Sequence, residues 1–456
     1  MNFIECQDWQ SVQRISECKC VRKHRCTLHP QKPHLYGDGT EFMGCNHFLH
    51  YGLMIIQLTL FLPIHAGFLA MFFLTDEQDI NYQTQIYPMK TQLMYVSHTG
   101  KGDSYLSELI RIKIHGNSDG TPYHVQVILK NIPKNVCRRL TYRSEEFFQN
   151  EINFYKKVLP TLLKFQSKKN VTDPFTNYTK LFLADTDGLN DVICLEDAGL
   201  ENFGCAVRQE GIDLVHCKVT FKALAKYHAL SFALRDQEPD TFNRLTDAIF
   251  ETYYDPRLWN WYRRFWHRVC GIAIDAVEKE YPNSIYEEKI KEFAVPETYE
   301  DMIRAVRDKT NGVISHGDCW TNNFLYKYQD GCPVDAKLID FQLTRCASPV
   351  LDISFAISAC TDQELRAKHY DELLEFYYET LSKQLKELGS DPDKVYSWET
   401  FMDEVKKYSY FGLAFSFEST PFIILAPEDA IDMEMEVGIV YNTLLIYIYI
   451  YLLLYR

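Results

Sequence analysis

The residues of this chain best suited to chemistry lie in one run, His316-Gly317-Asp318-Cys319-Trp320-Thr321-Asn322-Asn323. Ile339-Asp340-Phe341-Gln342 follows on the far side of a segment that reads as strand, turn and strand. The spacing is Asp-x4-Asn and then a second aspartate. Phosphoryl transfer needs such a set. One carboxylate must accept the proton of the attacking hydroxyl or orient it. An amide oxygen and a second carboxylate must hold magnesium against the phosphates. A hairpin brings both ends of the set to one place. Protein kinases use the same order with His-Arg-Asp and Asp-Phe-Gly. Either aspartate alone would read as a turn cap; the order and context make the set.

This chemistry also requires a lysine for the α- and β-phosphates and a glutamate to hold it. Lys130 ends the apolar strand VQVILK, upstream in the expected order, and Glu151 follows in the next helical segment. Glu145 and Glu146 compete for the glutamate role from one to two turns earlier. A loop covering the phosphates is expected at Thr99-Gly100-Lys101-Gly102-Asp103, where Gly100 and Gly102 would allow close backbone approach. Glu196 and Asp197 lie where a linker between two lobes would meet adenine, mainly through backbone groups.

The elements that must position these residues are legible in outline. Residues 96–116 read as a strand, a glycine-containing turn and a second strand, and 122–133 as a third strand. Residues 144–160 have helical spacing and are expected to end at Pro160. DVICLEDAG (191–199) is a short buried strand leading into a turn, and the chain is then mostly helical to about 310. The stretch 218–234 reads as a long apolar helix, and helical periodicity returns from about 361 to 415.

Two absences bear on the acceptor. Gly317, not arginine, precedes Asp318, so the usual partner of a phosphorylated activation loop is missing. No Ala-Pro-Glu follows Asp340; Ser348-Pro349-Val350-Leu351-Asp352 arrives within a dozen residues and leaves no room for a peptide-docking platform. A small-molecule hydroxyl is therefore favoured over a protein, with Asp352 bracing the loop from a helix start. The net charge of -14 argues against a nucleic-acid partner, and a monomer is expected. The fourteen cysteines are scattered, as free thiols in a reducing compartment would be.

The motifs GKGDSYLSELIRIKI (100–114), VILKNIP (127–133), NEINFYKKVLP (150–160), CLEDAG (194–199), ALAKYHALSFAL (223–234), HGDCWTNNFLYKY (316–328) and KLIDFQLTRCASPVLDISF (337–355) together resemble the insect ecdysteroid kinase-like family. That family has a so-called CHK kinase-like domain and is related to choline kinases and aminoglycoside phosphotransferases. The resemblance covers roughly 76–430. It implies an α+β, two-lobed protein-kinase-like fold with a small antiparallel-sheet N-lobe and a larger, mainly helical C-lobe. It also implies ATP and magnesium. By motif match, Asp318 would be the catalytic base, Asn323 and Asp340 the metal ligands, and Lys130 and Glu151 the phosphate-holding pair. The acceptors implied are hydroxyls of ecdysteroids or of foreign and plant secondary metabolites.

The expected organisation is an atypical extension over 1–75, an N-lobe over 76–196, a C-lobe over 197–430 and a hydrophobic tail over 431–456. Residues 1–75 and the tail depart from the family pattern. The extension holds a Cys/His-rich stretch whose spacing, C-x-C-x5-C-x2-H, is not that of a standard zinc finger. It also holds a charge-free stretch from Phe42 to Thr75, within which 53–74 is long enough to cross a bilayer. Charge bias would then put the body across the membrane from cytosolic ATP, so a cytoplasmic protein without stable membrane association is expected. The rival readings are a kinase-fold binding protein for such molecules and a choline kinase-like or aminoglycoside phosphotransferase-like enzyme.

Overall fold

The computed structural model describes residues 82–86, 89–98, 107–118 and, with short gaps, 121–424. The stretches 1–75 and 431–456, with Gly100 and Gly102, lie outside the described residues. Everything described falls within one unit, Leu74–Arg456.

The first part is an antiparallel sheet. Its strands are β1 (Tyr82–Ile86), β2 (Met89–His98), β3 (Glu108–Ser118), β4 (Thr121–Asn131), β5 (Leu181–Asp185) and β6 (Val192–Glu196), in the order β1-β2-β3-β4-β6-β5. Alternation fixes the faces. Ile112, Ile114, Val127 and Leu129 are buried on facing positions of β3 and β4, with Ile112 opposite Val127. Lys130 therefore points to the other face, between Leu109 of β3 and Ile193 of β6.

After β4 the chain forms α1 (Ser144–Asn153), a π-helical turn (Phe154–Val158) and α2 (Leu159–Gln166). This differs from a helix ending at Pro160. The wider turn resets the hydrogen-bond ladder, and Pro160 falls in the first turn of α2, where a helix start leaves donors unpaired anyway.

The second part is built on α3 (Leu214–Gln237), which starts at Asp213, whose side chain accepts from His216 N. Most of α3 is buried, as its nearly unbroken apolar run requires. Around it lie α4 (Pro239–Ala248), α5 (Trp259–Glu280), α6 (Ile285–Phe293), α7 (Pro296–Arg307), α8 (Pro349–Cys360), α9 (Gln363–Glu387), α10 (Pro392–Val395), α11 (Trp398–Tyr408) and α12 (Tyr410–Ile424). Two small sheets interrupt the helices. One orders β10 (Cys332–Leu338), β9 (Phe324–Gln329) and β7 (Phe203–Cys205), and the other pairs β11 (Arg345–Ala347) with β8 (Val313–Ser315). The molecule thus has the two-lobed, kinase-like architecture expected, with one hydrophobic core running from α1 through α3 to α12. Among the described residues no helix is long and apolar enough to cross a membrane.

Helices α8 and α12 cross in near backbone contact. A Cβ on Gly412 would lie 2.1 Å from the carbonyl carbon and oxygen of Ser354. Gly271, on α5, has nothing within 4 Å of such a Cβ. Gly412→Ala is expected to cost at least about 2 kcal/mol of stability. Gly271→Ala should be neutral or stabilise by up to ~1 kcal/mol. Urea unfolding of the two variants checks the pair, and equal midpoints would refute the close crossing.

Candidate active site

The loop bearing Asp318 leaves β8 under tight constraint. Gly317 has φ +86°, and a Cβ there would stand 2.0 Å from the carbonyl oxygen of Leu343, so only glycine fits. His316 N and Gly317 N donate to the two carboxylate oxygens of Asp352 at 2.6 and 2.8 Å. Asp352, in the first turn of α8, is 2% exposed. Burial alone would raise its pKa, but His228, His316 and the Gly317 N–H outweigh that and hold it below the usual carboxylate range. His228, in the middle of α3, lies 3.1 Å from Asp352 through Nε2 and 2.9 Å from the Tyr377 hydroxyl through Nδ1.

His316 is buried, and burial lowers its pKa. Nε2 donates to the Ile339 carbonyl at 2.9 Å, which leaves Nδ1 to accept from Asp318 N at 3.2 Å. These partners assign the neutral ring with its proton on Nε2.

A 3₁₀ turn over Thr321–Asn323 folds Asn323 back onto Asp318. Asn323 Nδ2 donates to Asp318 Oδ2 at 2.8 Å and to the Asp318 carbonyl at 2.9 Å. Its own carbonyl accepts from Ile339 N at 3.1 Å, so the β9–β10 hairpin returns directly beside the loop. The next residue, Asp340, has φ +65°, a left-handed conformation that aspartate tolerates better than most. Burial pushes the Asp318 carboxyl up to about 7, Asp340 pushes the same way, and Asn323 and Arg345 pull against them.

Lys130 Nζ lies 2.6 Å from Glu151 Oε2 and 2.8 Å from Asp340 Oδ1. Burial opposes the ammonium charge, but the two carboxylates outweigh it and hold Lys130 above the usual lysine range. Glu146, one of the rivals to Glu151, pairs instead with Arg143 and Arg257. Five of the residues singled out from sequence, Lys130, Glu151, Asp318, Asn323 and Asp340, are thereby brought together. Glu196 and Asp197 are not joined to them by hydrogen bonds. Glu196 Oε1 binds Lys337 at 2.5 Å, while Asp197 accepts from Arg111 Nε at 2.6 Å and Gln126 Nε2 at 2.5 Å.

Sequence reasoning missed the groups that join the parts. Asn150 is fully buried on α1; its Nδ2 donates to the Gln342 and Thr344 carbonyls at 3.0 and 2.9 Å, and its Oδ1 accepts from Phe250 N at 3.1 Å. Phe341 stacks on Phe154 of the π-helical turn at 3.7 Å between ring centres and packs on His316 at 4.7 Å. The signal available was a polar residue inside an apolar face: Asn150 between Phe148 and Ile152, and His228 within ALAKYHALSFAL.

Three comparisons with known proteins can be set beside this arrangement. Among solved structures, a complex of APH(2")-IIia with GDP and kanamycin is 11% identical, over 82% of this chain and 98% of that chain, with a TM-score of 0.33. A GDP complex of wild-type aminoglycoside 2'-phosphotransferase-IIIa is 12% identical, over 72% and 92%, with a TM-score of 0.31. Likeness that weak decides nothing about this chain. No curated protein matches the sequence. A family model described as the ecdysteroid kinase-like family matches residues 101–390, well over half the chain and all five clustered residues. The chain belongs to the ecdysteroid kinase-like family.

Proposed function

We propose that this protein is an ATP-dependent phosphotransferase that phosphorylates a hydroxyl group of a small apolar molecule, an ecdysteroid or a foreign or plant secondary metabolite. One observation carries the reading. Glu151, Lys130 and Asp340 form one chain of contacts, Asp318 and Asn323 form another, and the Ile339–Asn323 backbone bond ties the two together. Structural turn caps have no reason to converge in this way.

The residues present fit magnesium and ATP. Asn323 spends its amide N–H groups on Asp318, so its Oδ1 is left to accept. Asp340, a quarter exposed, gives one oxygen to Lys130 and keeps the other. Among the described residues no group of three or more His, Cys, Asp or Glu could hold a metal alone. Two protein oxygens completed by phosphates is the usual magnesium arrangement. When bound, the nucleotide supplies the phosphoryl group and the cation offsets its charge.

In this reading Lys130, held by Glu151, binds phosphate oxygens, and Asn323 and Asp340 hold the cation. Asp318, aligned by Asn323, accepts the proton of the acceptor hydroxyl. With its pKa raised toward 7, Asp318 is a carboxylate only above that range, so it can accept the proton there and not below. A cation at Asp340 offsets one of the causes of that rise and shifts the value downward.

Asp318→Asn is expected to fold and bind nucleotide while losing transfer by about a hundredfold or more. The wild-type rate should fall as pH drops through a limb between the ordinary carboxylate range and about 7, and the residual activity of the variant should lack that limb. A limb of the same shape in Asp318→Asn would remove Asp318 from the role.

Asp340→Ala and Asn323→Ala should each raise the magnesium concentration required for half-maximal rate, or abolish activity. Superimposable magnesium titrations for wild type and both variants would contradict the assignment.

A further inference from the structure

The segment that joins the two lobes, Leu195-Glu196-Asp197-Ala198, is tied on both sides by its own carboxylates. Glu196 ends β6 opposite Val127 of β4, and Asp197 follows, so strand alternation sends their side chains to opposite faces of the sheet. Asp197 falls on the face that carries Lys130. There its Oδ2 accepts from Arg111 Nε of β3 and Gln126 Nε2 of β4 at 2.6 and 2.5 Å, and its Oδ1 accepts from Gly199 N at 2.9 Å. Arg111 pairs in register with Ile128, two residues before Lys130.

Glu196 leaves by the other face and meets the larger lobe. Its Oε1 accepts from Lys337 Nζ at 2.5 Å, and Lys337 stands on β10, three residues before Asp340. Lys337 also lies 3.3 Å from Glu201 Oε2 and 5.0 Å from the centre of the Phe203 ring. An exposed ion pair would hold such a segment weakly. Here Asp197 is 4% exposed and Lys337 7%, so each pair has a buried member that a shift of the linker would strand. The two carboxylates are thus committed to the protein rather than to a nucleotide.

One tie ends on the sheet face that presents Lys130, and the other on the strand that delivers Asp340. We propose that Arg111 and Lys337, acting through Asp197 and Glu196, are positioning residues for the nucleotide. They fix the linker against both lobes, so that one molecule reaches the linker and the Lys130–Asp340 pair at once. The assignment rests on the phosphotransferase reading for where the nucleotide lies. A ligand that touches only the linker gains little from the ties. A ligand that spans linker and phosphate groups gains from both contacts only when their separation is set in advance. The ties therefore act on the difference in affinity between nucleotide and nucleoside.

The test uses the full chain and two probes, magnesium-ADP and adenosine, each competed against a fluorescent ADP analogue. Wild type is expected to bind magnesium-ADP at least about tenfold tighter than adenosine. Lys337→Met and Asp197→Asn each remove one tie at nearly constant volume. Each should cut that ratio about fivefold or more and leave adenosine affinity within about twofold. Arg111→Gln should match Asp197→Asn, and the two combined should add little, since both break one pair. Lys394→Met, which breaks an exposed pair with Asp391, should leave the ratio unchanged. Melting temperatures report whether each variant folds, with Glu196→Gln replacing Lys337→Met and Arg111→Gln replacing Asp197→Asn where one does not. Folded variants that keep the wild-type ratio, or that lose both probes in equal measure, overturn the proposal alone; the pairs are then local bracing. A wild type that binds magnesium-ADP no better than adenosine overturns the phosphotransferase reading, and this proposal with it.

Discussion

Asp352 keeps a negative charge in the interior of the larger lobe, and the loop that carries Asp318 is shaped around it. A buried carboxylate is tolerated only when its oxygens are met by donors or cations. Here those donors are two successive backbone N–H groups of the loop, with a histidine of the central helix at the remaining side. The requirement works in both directions. The loop cannot move away without stranding the charge, at a cost of about 3–5 kcal/mol for a broken buried pair. The charge in turn fixes the peptide planes at 316 and 317, and Gly317 is the residue type that the resulting left-handed turn against Leu343 accepts.

From that anchor the rest of the site follows by short links. His316, oriented by its place beside Asp352, uses both ring nitrogens: one to hold Ile339, the other to hold Asp318 N. Ile339 is bonded through its own N–H to Asn323, and Asp340 comes next. Phe341 then inserts between His316 and the π-helical turn after α1, while Asn150 of α1 grips the two carbonyls beyond it. Helix α1 also carries Glu151, which holds Lys130 of the sheet. A charge buried in one lobe is therefore connected, through backbone hydrogen bonds and one aromatic stack, to a lysine in the other.

Much of this was written in the amino-acid order, because the relevant constraints are local or periodic. The Asp-x4-Asn spacing, the hairpin before Asp340 and the alternation that turns Lys130 away from Leu129 depend on neighbours within a few residues. So does the bracing position of Asp352 at a helix start. What the order left open were choices between equivalent candidates and contacts across long separations. Glu145, Glu146 and Glu151 are all glutamates of one helix; the phase of that helix against β4 selects Glu151 as the partner of Lys130. The helix was expected to stop at Pro160, yet a π-helical turn carries it past, because Phe154 must stack on a residue 187 positions away. Asn150, His228 and Arg345 gave only the weak signal of a polar group in apolar company. Their partners lie on other elements, and only packing those elements together decides what each polar atom meets.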